Sequence, residues 1–169
     1  MKCPCGSNTS FKQCCLLVIT EEVKAISPEQ LMRSRYSAYA TKSADYIYNT
    51  YANSSREHQS VNDIFEWAQE TKWLKLIIHS ASEYSAVIDN SSDDLVIEEY
   101  NLPTVFFSAY YKHQSHYYLM KETSRFILEG RKWRYLDGEV SSSKELAAPK
   151  RNELCFCKSQ KKFKQCCGS

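Results

Sequence analysis

Polar and apolar positions follow a helical period through the first half of the chain. Ser27 precedes Pro28, and Gln30 stands three residues after the serine. A serine cap, a proline in the first turn and a glutamine at the third helical position are typical of a helix start. We therefore predict a helix from Pro28 to about Tyr51, with a kink or a break near residues 41–44, where the apolar register shifts.

Shorter stretches complete the helical half of the chain. The apolar run at residues 16–19 predicts the beginning of a short helix. Residues 53–59 are polar and predict a loop. Apolar residues then recur at helical spacing, so a further helix is predicted over residues 61–72.

From Trp73 onward the pattern is that of β-strands, with β-branched and aromatic residues between turn signals. Strands are predicted at residues 74–79, 84–88, 95–100, 104–112, 116–128 and 131–136. Helices followed by a run of antiparallel strands indicate an α+β fold. Residues 141–150, which include Ala147, Ala148 and Pro149, are predicted to be a linker.

The composition is that of an ordinary soluble globular protein. The chain has 169 residues, of which 43% are hydrophobic and 25% charged, which suffices for one domain with small additions at its ends. No apolar run approaches the ~20 residues of a membrane helix, so we expect no membrane partner. The formal net charge of +2 is too small to indicate nucleic-acid binding by itself.

All eight cysteines fall in two terminal segments of identical spacing. Each segment has Cys-x-Cys, eight further residues and Cys-Cys, and Cys155 follows Cys3 by 152 positions. The candidate metal ligands are Cys3, Cys5, Cys14 and Cys15 in the first segment and Cys155, Cys157, Cys166 and Cys167 in the second. The segments also share Ser7 and Ser159, Phe11 and Phe163, Lys12 and Lys164, and Gln13 and Gln165. This repetition indicates one binding module that occurs twice.

Four thiolates in a short segment favour Zn²⁺, which takes four tetrahedral ligands in a closed structural site. We expect two zinc ions per chain, with metal binding supplying most of the folding energy of each module. Disulfides are the main alternative, followed by redox-active thiols and iron–sulfur clusters. The cysteine-free middle of the chain, the lack of a visible secretory signal and the poor geometry of adjacent cysteines weigh against disulfides.

Lysines cluster around the second cysteine segment. It carries Lys158, Lys161, Lys162 and Lys164, whereas the first segment has Lys2 and Lys12. Such lysines can simply balance the negative charge of a thiolate site. They can also form a basic face that binds RNA or an acidic protein, and the sequence leaves both interpretations open.

Both cysteine segments resemble the SEC-C motif, the small zinc-binding segment at the C-terminus of the preprotein-translocase ATPase. In that family the motif binds zinc and contacts an export chaperone and the ribosome. The resemblance therefore implies a cytoplasmic adaptor with a protein or ribosomal partner. The second copy departs from the pattern at Lys158, where the motif usually has glycine, but it loses no ligand.

The middle of the chain resembles the YchJ-like bacterial family. The resemblance rests on Arg33-Ser34-Arg35-Tyr36-Ser37-Ala38-Tyr39, Trp73-Leu74, Glu122-Thr123-Ser124-Arg125-Phe126 and Trp133-Arg134-Tyr135-Leu136-Asp137-Gly138. It implies a cystatin-like (nuclear transport factor 2-like) cone of helices over a bent antiparallel sheet, and residues 84–103 depart from the family pattern. The expected domains are an N-terminal zinc module (1–20), the cystatin-like domain (21–140), and a linker with the C-terminal zinc module (141–169).

A helix packed over a bent sheet leaves a pocket, which is the default place to look for a ligand. Its candidate polar groups are Arg33, Arg35, Glu122, Arg125 and Asp137, and its candidate walls are Tyr36, Tyr39, Trp73 and Tyr135. Arg33 and Arg35 are two apart on a helix, so only one easily points inward. Glu122 and Arg125 face opposite sides of their strand. We favour an ion pair between Glu122 and one helical arginine over a catalytic site.

No catalytic motif emerges from the sequence. The four histidines, His58, His79, His113 and His116, have no cysteine or carboxylate at a metal-ligand or triad spacing. The chain also lacks a phosphate-binding loop and a nucleophile elbow. We therefore assign no catalytic residue.

Three functions remain in competition. The first is a non-enzymatic zinc-binding adaptor that docks to a protein-export chaperone or the ribosome. The second is a small-molecule-binding protein or an enzyme that uses the central pocket, with Glu122 or Asp137 as general acid or base. The third is nucleic-acid binding through the basic C-terminal module, which salt-dependent binding of RNA would support.

Overall fold

Helices occupy the first half of the described chain and strands the second. The computed structural model describes residues 1–83, 102–157 and 159–169. The helices are α1 (Cys15–Ile19), α2 (Pro28–Thr41), α3 (Ala44–Asn49), α4 (Asn53–Arg56) and α5 (Val61–Glu70). The strands are β1 (Thr71–Ala81), β2 (Thr104–His113), β3 (His116–Glu129) and β4 (Lys132–Leu146). One-turn 3₁₀ helices stand at Phe11–Gln13 and Phe163–Gln165.

The described strands form one antiparallel sheet in the order β1-β2-β3-β4, so β1 and β4 lie at its edges. Register shifts interrupt the β1–β2 pairing near Leu74 and His79, and they interrupt the β3–β4 pairing after Lys121 and after Arg125. Such bulges bend a strand and increase its twist, so the sheet can curve around the helices. The predicted α+β fold with a bent antiparallel sheet is confirmed.

The long helix begins as predicted and breaks where the apolar register shifts. The Ser27 side chain accepts a hydrogen bond from the Gln30 N–H, and Pro28 occupies the first turn. Lys42, directly after α2, has a left-handed φ of 62°, which ends the helix before α3 begins at Ala44. The second segment ends at Asn49, two residues earlier than predicted.

Two other helical boundaries differ from the predictions. The polar stretch at residues 53–59 contains the one-turn helix α4. Helix α5 ends at Glu70 instead of residue 72, because Thr71 and Lys72 already pair with His113 and Lys112 in the sheet. Pairing in the sheet is a tertiary interaction, and the helical periodicity of the sequence carries no information about it.

The predicted linker at residues 141–150 is wrong for its first six residues. Strand β4 continues through Leu146, and its residues 142–146 pair with residues 117–121 of β3. This pairing satisfies backbone groups of β3 that would otherwise lack a partner on that side. The predicted boundary after residue 140 thus falls inside a strand, and the division into residues 1–20, 21–140 and 141–169 otherwise stays a prediction.

The main core lies between the helices and one face of the sheet. Its buried side chains include Leu31, Ile47, Val105, Phe107 and Phe126. Val18 of α1 joins the same core, so the short helix after the first cysteine segment is attached to the central domain. This arrangement confirms that helices cover the sheet.

Some predictions fall outside the described residues. These are the strands predicted at residues 84–88 and 95–100, together with the departure from glycine at Lys158. None of the described helices combines the length and the hydropathy that crossing a bilayer requires.

The extension of β4 can be tested with two truncated chains that both lack the second cysteine segment. A chain ending at Val140 leaves the first half of β3 without its β4 partner, whereas a chain ending at Leu146 keeps it. Each lost backbone hydrogen bond costs about 1 kcal/mol, and each kcal/mol lowers the melting temperature by roughly 2–8 °C. We expect the shorter chain to melt at least about 5 °C lower by circular dichroism; equal melting temperatures would contradict the strand assignment.

Candidate metal centres and the central cavity

The structure brings the eight predicted ligands together in two groups. The sulfur atoms of Cys3, Cys5, Cys14 and Cys15 all lie within 4.8 Å of one another, as do those of Cys155, Cys157, Cys166 and Cys167. Within the first group the Cys5–Cys14 and Cys14–Cys15 sulfur distances are 3.7 and 3.8 Å. Within the second group the Cys157–Cys166 and Cys166–Cys167 distances are 3.5 and 4.0 Å.

These distances fit a tetrahedral metal site. Metal–sulfur bonds of about 2.3 Å in a tetrahedron place neighbouring sulfur atoms about 3.8 Å apart. A disulfide requires about 2.05 Å between sulfur atoms, and all eight cysteines are free. The geometry therefore favours metal binding over disulfides in both segments.

The two cysteine segments share the same backbone hydrogen bonds. The Cys3 N–H donates to Thr9 O at 2.9 Å, and the equivalent Cys155 N–H donates to Lys161 O at 2.8 Å. The Cys14 N–H donates to Phe11 O at 3.2 Å, and the equivalent Cys166 N–H donates to Phe163 O at 3.0 Å. In both segments the 3₁₀ turn Phe-Lys-Gln precedes the cysteine pair. The sequence repeat is thus also a structural repeat.

A serine hydroxyl accompanies the third cysteine of each group. Ser7 Oγ lies 3.3 Å from Cys14 Sγ, and Ser159 Oγ lies 3.1 Å from Cys166 Sγ. When the sulfur is a thiolate, the hydroxyl is the donor. The sequence showed that both segments contain these serines, but it assigned them no role. In both segments the serine precedes the third cysteine by 7 residues, and this constant sequence separation is the signal that could have identified the role.

The sulfur atoms within each group shift one another's pKa. The pKa of the Cys5 thiol is lowered to about 4 because Cys15 hydrogen-bonds to its sulfur, and the same bond raises the pKa of Cys15. Burial opposes ionisation of Cys157, but hydrogen bonds led by that from Ser159 outweigh it and lower its pKa to about 7. A divalent cation supplies the positive charge that lets all four sulfurs ionise together.

The first module, defined here as residues 1–19, rests on α2 and on the edge strand β1. Arg33 donates a hydrogen bond of 2.8 Å to the carbonyl oxygen of Cys5. The sulfur of Cys3 lies 3.6 Å from the hydroxyl of the buried Ser37. Gly6, with a left-handed φ of 82°, approaches the backbone of β1 so closely that an added Cβ would lie 3.7 Å from Leu76 O. The module is therefore attached to α2 and lies against the edge strand β1.

The second module, defined here as residues 151–169, contacts the same strand from another side. Lys75 Nζ donates to the carbonyl oxygen of Cys157 at 3.1 Å, and Lys72 Nζ donates to that of Ser169 at 2.8 Å. Phe156 stacks on Tyr110 with ring centroids 5.8 Å apart. The contacts of both modules with β1 make them neighbours.

The predicted central pocket is present as a cavity of about 250 Å³. Its lining residues are Met32, Arg35, Tyr36, Tyr39, Tyr51, Trp67, Trp73, Phe107, Tyr111, Met120, Glu122 and Tyr135. Six predicted pocket residues therefore meet there. Sequence analysis missed Trp67 and Tyr111, which only the approach of α5 to β2 brings to the cavity.

The prediction of an ion pair between Glu122 and a helical arginine is wrong: among the described residues, Glu122 and Arg35 each have other partners. Arg35 donates to Ile47 O at 2.8 Å and to Thr50 Oγ1 at 2.7 Å. Its guanidinium lies 4.4 Å from the ring centres of both Tyr51 and Tyr135. Aromatic faces, a carbonyl and a hydroxyl thus hold the buried cation.

Glu122 finds hydroxyl partners instead. Its Oε1 accepts hydrogen bonds from Ser124 Oγ at 2.7 Å and from Tyr135 OH at 3.1 Å. Burial raises the pKa of Tyr135, so its hydroxyl stays protonated and available to donate. The carboxylate therefore lies in the cavity wall in a fixed orientation.

The other candidate polar residues lie outside the cavity. Arg33 contacts the first module, as described. Arg125 Nε pairs with Asp137 Oδ1 at 2.7 Å, and both side chains are about half exposed. The prediction that Glu122 and Arg125 face opposite sides of β3 is confirmed, whereas Asp137 is not placed to act in the pocket.

The histidines have local polar partners and do not join either sulfur group. His79 Nε2 lies 2.7 Å from Ser108 Oγ, and His113 Nδ1 lies 3.2 Å from Thr71 Oγ1. His58 and His116 are exposed beside glutamates. Among the described residues, the groups that could hold a metal ion consist of cysteine alone.

Comparison with protein families gives two matches along the chain. Residues 27–138 match the model described as the middle NTF2-like domain of YchJ. Residues 151–169 match the SEC-C motif. The first cysteine segment resembles the matched one in spacing, sulfur geometry and hydrogen bonds.

Relatives and solved structures extend the similarity over nearly the whole chain. A UPF0225 protein of Vibrio vulnificus (strain CMCP6) is 34% identical, with 98% of each chain covered. A solution structure of a SEC-C motif containing protein from Rhodopseudomonas palustris is 29% identical, with a TM-score of 0.69 over 84% of this chain and 100% of that chain. A crystal structure of a sec-c motif containing protein from Psychrobacter arcticus is 26% identical, with a TM-score of 0.60 over 99% of this chain and 96% of that chain.

The serine hydroxyls beside the ligand sulfurs are open to a direct test. Groups that orient metal ligands typically contribute 10–100-fold to metal affinity. We expect Ser7→Ala and Ser159→Ala each to weaken metal binding at one site about 10-fold, measured by competition with a chromophoric chelator. Ser54→Ala, at an exposed position in α4, is the matched control. Unchanged affinity in both variants would show that the serines do not support the ligands.

Proposed function

The chain belongs to the YchJ-like UPF0225 family, and we propose that it is a cytoplasmic zinc-binding adaptor whose two SEC-C-like modules dock onto a protein-export chaperone or the ribosome. The observation that carries the proposal is the pair of four-cysteine groups with tetrahedral sulfur spacing. The family match supports metal binding through the SEC-C motif at residues 151–169. The proposed docking role adds that the surfaces of the two modules bind the partner.

Zinc is the metal that best fits the donors. Four thiolates form a tetrahedral site that zinc favours and that magnesium or calcium, which require oxygen ligands, disfavour. With all four positions filled by sulfur, the site has no open coordination position for a substrate. The proposed zinc ions are therefore structural, and the function lies in the surface that they hold in place.

The second module presents a basic surface with an apolar residue beside it. Lys161, Lys162 and Lys164 are exposed and form no ion pair with described residues. Leu154 is 69% exposed and pairs through its backbone with Lys162. Exposed lysines next to an apolar side chain suit an acidic partner surface with an apolar contact point.

The metal content of the purified chain tests the first part of the proposal. We expect about two zinc ions per chain by elemental analysis of protein purified without added metal. Cys14→Ser and Cys166→Ser should each reduce the content to about one, because each substitution removes one ligand from a different site. A zinc content near zero in the unaltered chain, with thiols that do not react before or after chelation, would contradict zinc binding.

The basic surface can be tested with two matched double variants. Lys161→Ala with Lys164→Ala removes two charges from the proposed surface, and Lys24→Ala with Lys144→Ala removes two exposed charges elsewhere. We expect the first pair to weaken binding about 10-fold and the second to leave it unchanged, since exposed ion pairs contribute roughly 0.2–1 kcal/mol each and about 1.4 kcal/mol corresponds to a factor of ten.

Binding is measured by co-sedimentation with purified ribosomes and by titration with the purified export chaperone. Absence of binding to both would contradict the proposed partners. Equal weakening by both double variants would show general electrostatics rather than a docking surface. Tight, steeply salt-dependent binding to protein-free RNA would instead favour the nucleic-acid alternative.

A further inference from the structure

The central cavity has the size of a small molecule. Its volume is about 250 Å³. An apolar protein cavity of about 150 Å³ accommodates a benzene ring. The space between α2, α5 and the sheet therefore suits a molecule of about two fused rings.

The cavity walls are mainly aromatic. Trp73 contacts the rings of Tyr36, Tyr39 and Tyr111 at centroid distances of 5.4, 5.3 and 5.5 Å, so these rings support one another. Trp67, which also lines the cavity, is 38% exposed, an unusual position for a tryptophan. Packed rings with fixed faces favour a flat aromatic ligand, because a planar ring can pack against them in stacked or edge-to-face arrangements.

Glu122 provides a hydrogen-bond acceptor in this wall. Its Oε1 receives both described hydrogen bonds, from Ser124 and Tyr135, and its Oε2 has no hydrogen-bond partner among the described residues. Gly138 leaves the space that the carboxylate occupies, since a Cβ there would lie 2.0 Å from Glu122 Oε1 and 2.7 Å from Tyr135 OH. A glycine at this point of β4 therefore permits the orientation of the acceptor.

The charges of the cavity balance. Arg35 lines the same space, is only 3% exposed, and is held by two hydrogen bonds and two aromatic rings. Among the described lining residues, one guanidinium and one carboxylate leave no net side-chain charge. Burial raises the pKa of the Tyr36 and Tyr39 hydroxyls, so they remain neutral. An uncharged ligand is therefore better matched than an ion.

From these features we infer that the cavity is a binding site for an uncharged, flat aromatic heterocycle of about two rings that donates an N–H hydrogen bond to Glu122. Its described lining residues include no cysteine, so the site is separate from the proposed zinc modules. It goes beyond the adaptor function, and its test does not depend on a docking partner.

The experiment compares two probes of the same ring size. 2-Aminoquinazolin-4-one carries adjacent N–H donors, whereas quinazoline has none. Binding is followed through the fluorescence of Trp67 and Trp73 and confirmed by isothermal titration calorimetry. We expect the aminoquinazolinone to bind the full-length protein with a Kd below about 1 mM and quinazoline to bind at least 10-fold more weakly.

Glu122→Gln keeps the shape of the side chain and removes its charge. We expect it to weaken aminoquinazolinone binding at least 10-fold, which corresponds to about 1.4 kcal/mol, and to leave quinazoline unaffected. Asp137→Asn makes the same change on the opposite face of the sheet and should alter neither probe. Met120→Trp fills the cavity and should abolish binding of both, which provides the decisive comparison if Glu122→Gln does not fold.

Three results would overturn the inference. One is that neither probe binds the unaltered protein. Another is that aminoquinazolinone binds Glu122→Gln, or Met120→Trp, as tightly as it binds the unaltered protein. The third is that N-methylquinolinium, a cation of the same size, binds more tightly than both probes, since that would assign the cavity to a cationic ligand.

Discussion

The terminal modules depend on what holds four sulfur atoms together. In the first module the buried cluster consists of cysteines with Phe11 and Ile19 as the main apolar neighbours. So little apolar surface cannot offset the conformational entropy of an ordered segment. A metal ion bound by the four thiolates would supply the missing free energy, because ligation and folding would then be the same event. The contacts of both modules with β1 would depend in turn on that ligation.

The modules are attached to the central domain through equivalent atoms. Arg33 donates to the carbonyl oxygen of Cys5, and Lys75 donates to that of Cys157, the corresponding residue of the repeat. One cation comes from α2 and the other from β1, so the central domain uses different elements to make the same contact twice. A positive charge beside a ligand cysteine also offsets the excess negative charge of a four-thiolate site. The two contacts thus attach the modules to the central domain and place a positive charge beside each group of sulfur atoms.

Local spacing predicted the features that local chemistry determines. The cysteine repeat, the Ser27 cap and the helix break near Lys42 could be identified because the deciding residues are neighbours in sequence. The extension of β4 through Ser141–Ser143 could not, because those residues are polar and their strand conformation depends on pairing with β3. Likewise, the sequence indicated that one arginine faces inward, but the stacking of Arg35 between Tyr51 and Tyr135 depends on three distant segments.

Helix α2 joins the two parts of the molecule, since Arg33 reaches the first module while Arg35, two residues later, lines the cavity. Contiguity of this kind does not by itself couple two sites. Coupling requires an element with two arrangements that metal and ligand favour differently. Arg35 is buried and fixed by Ile47, Thr50 and two aromatic rings, so the contacts define one position for α2. The described contacts of α2 therefore favour independence of the proposed docking surface and the proposed ligand site in the cavity.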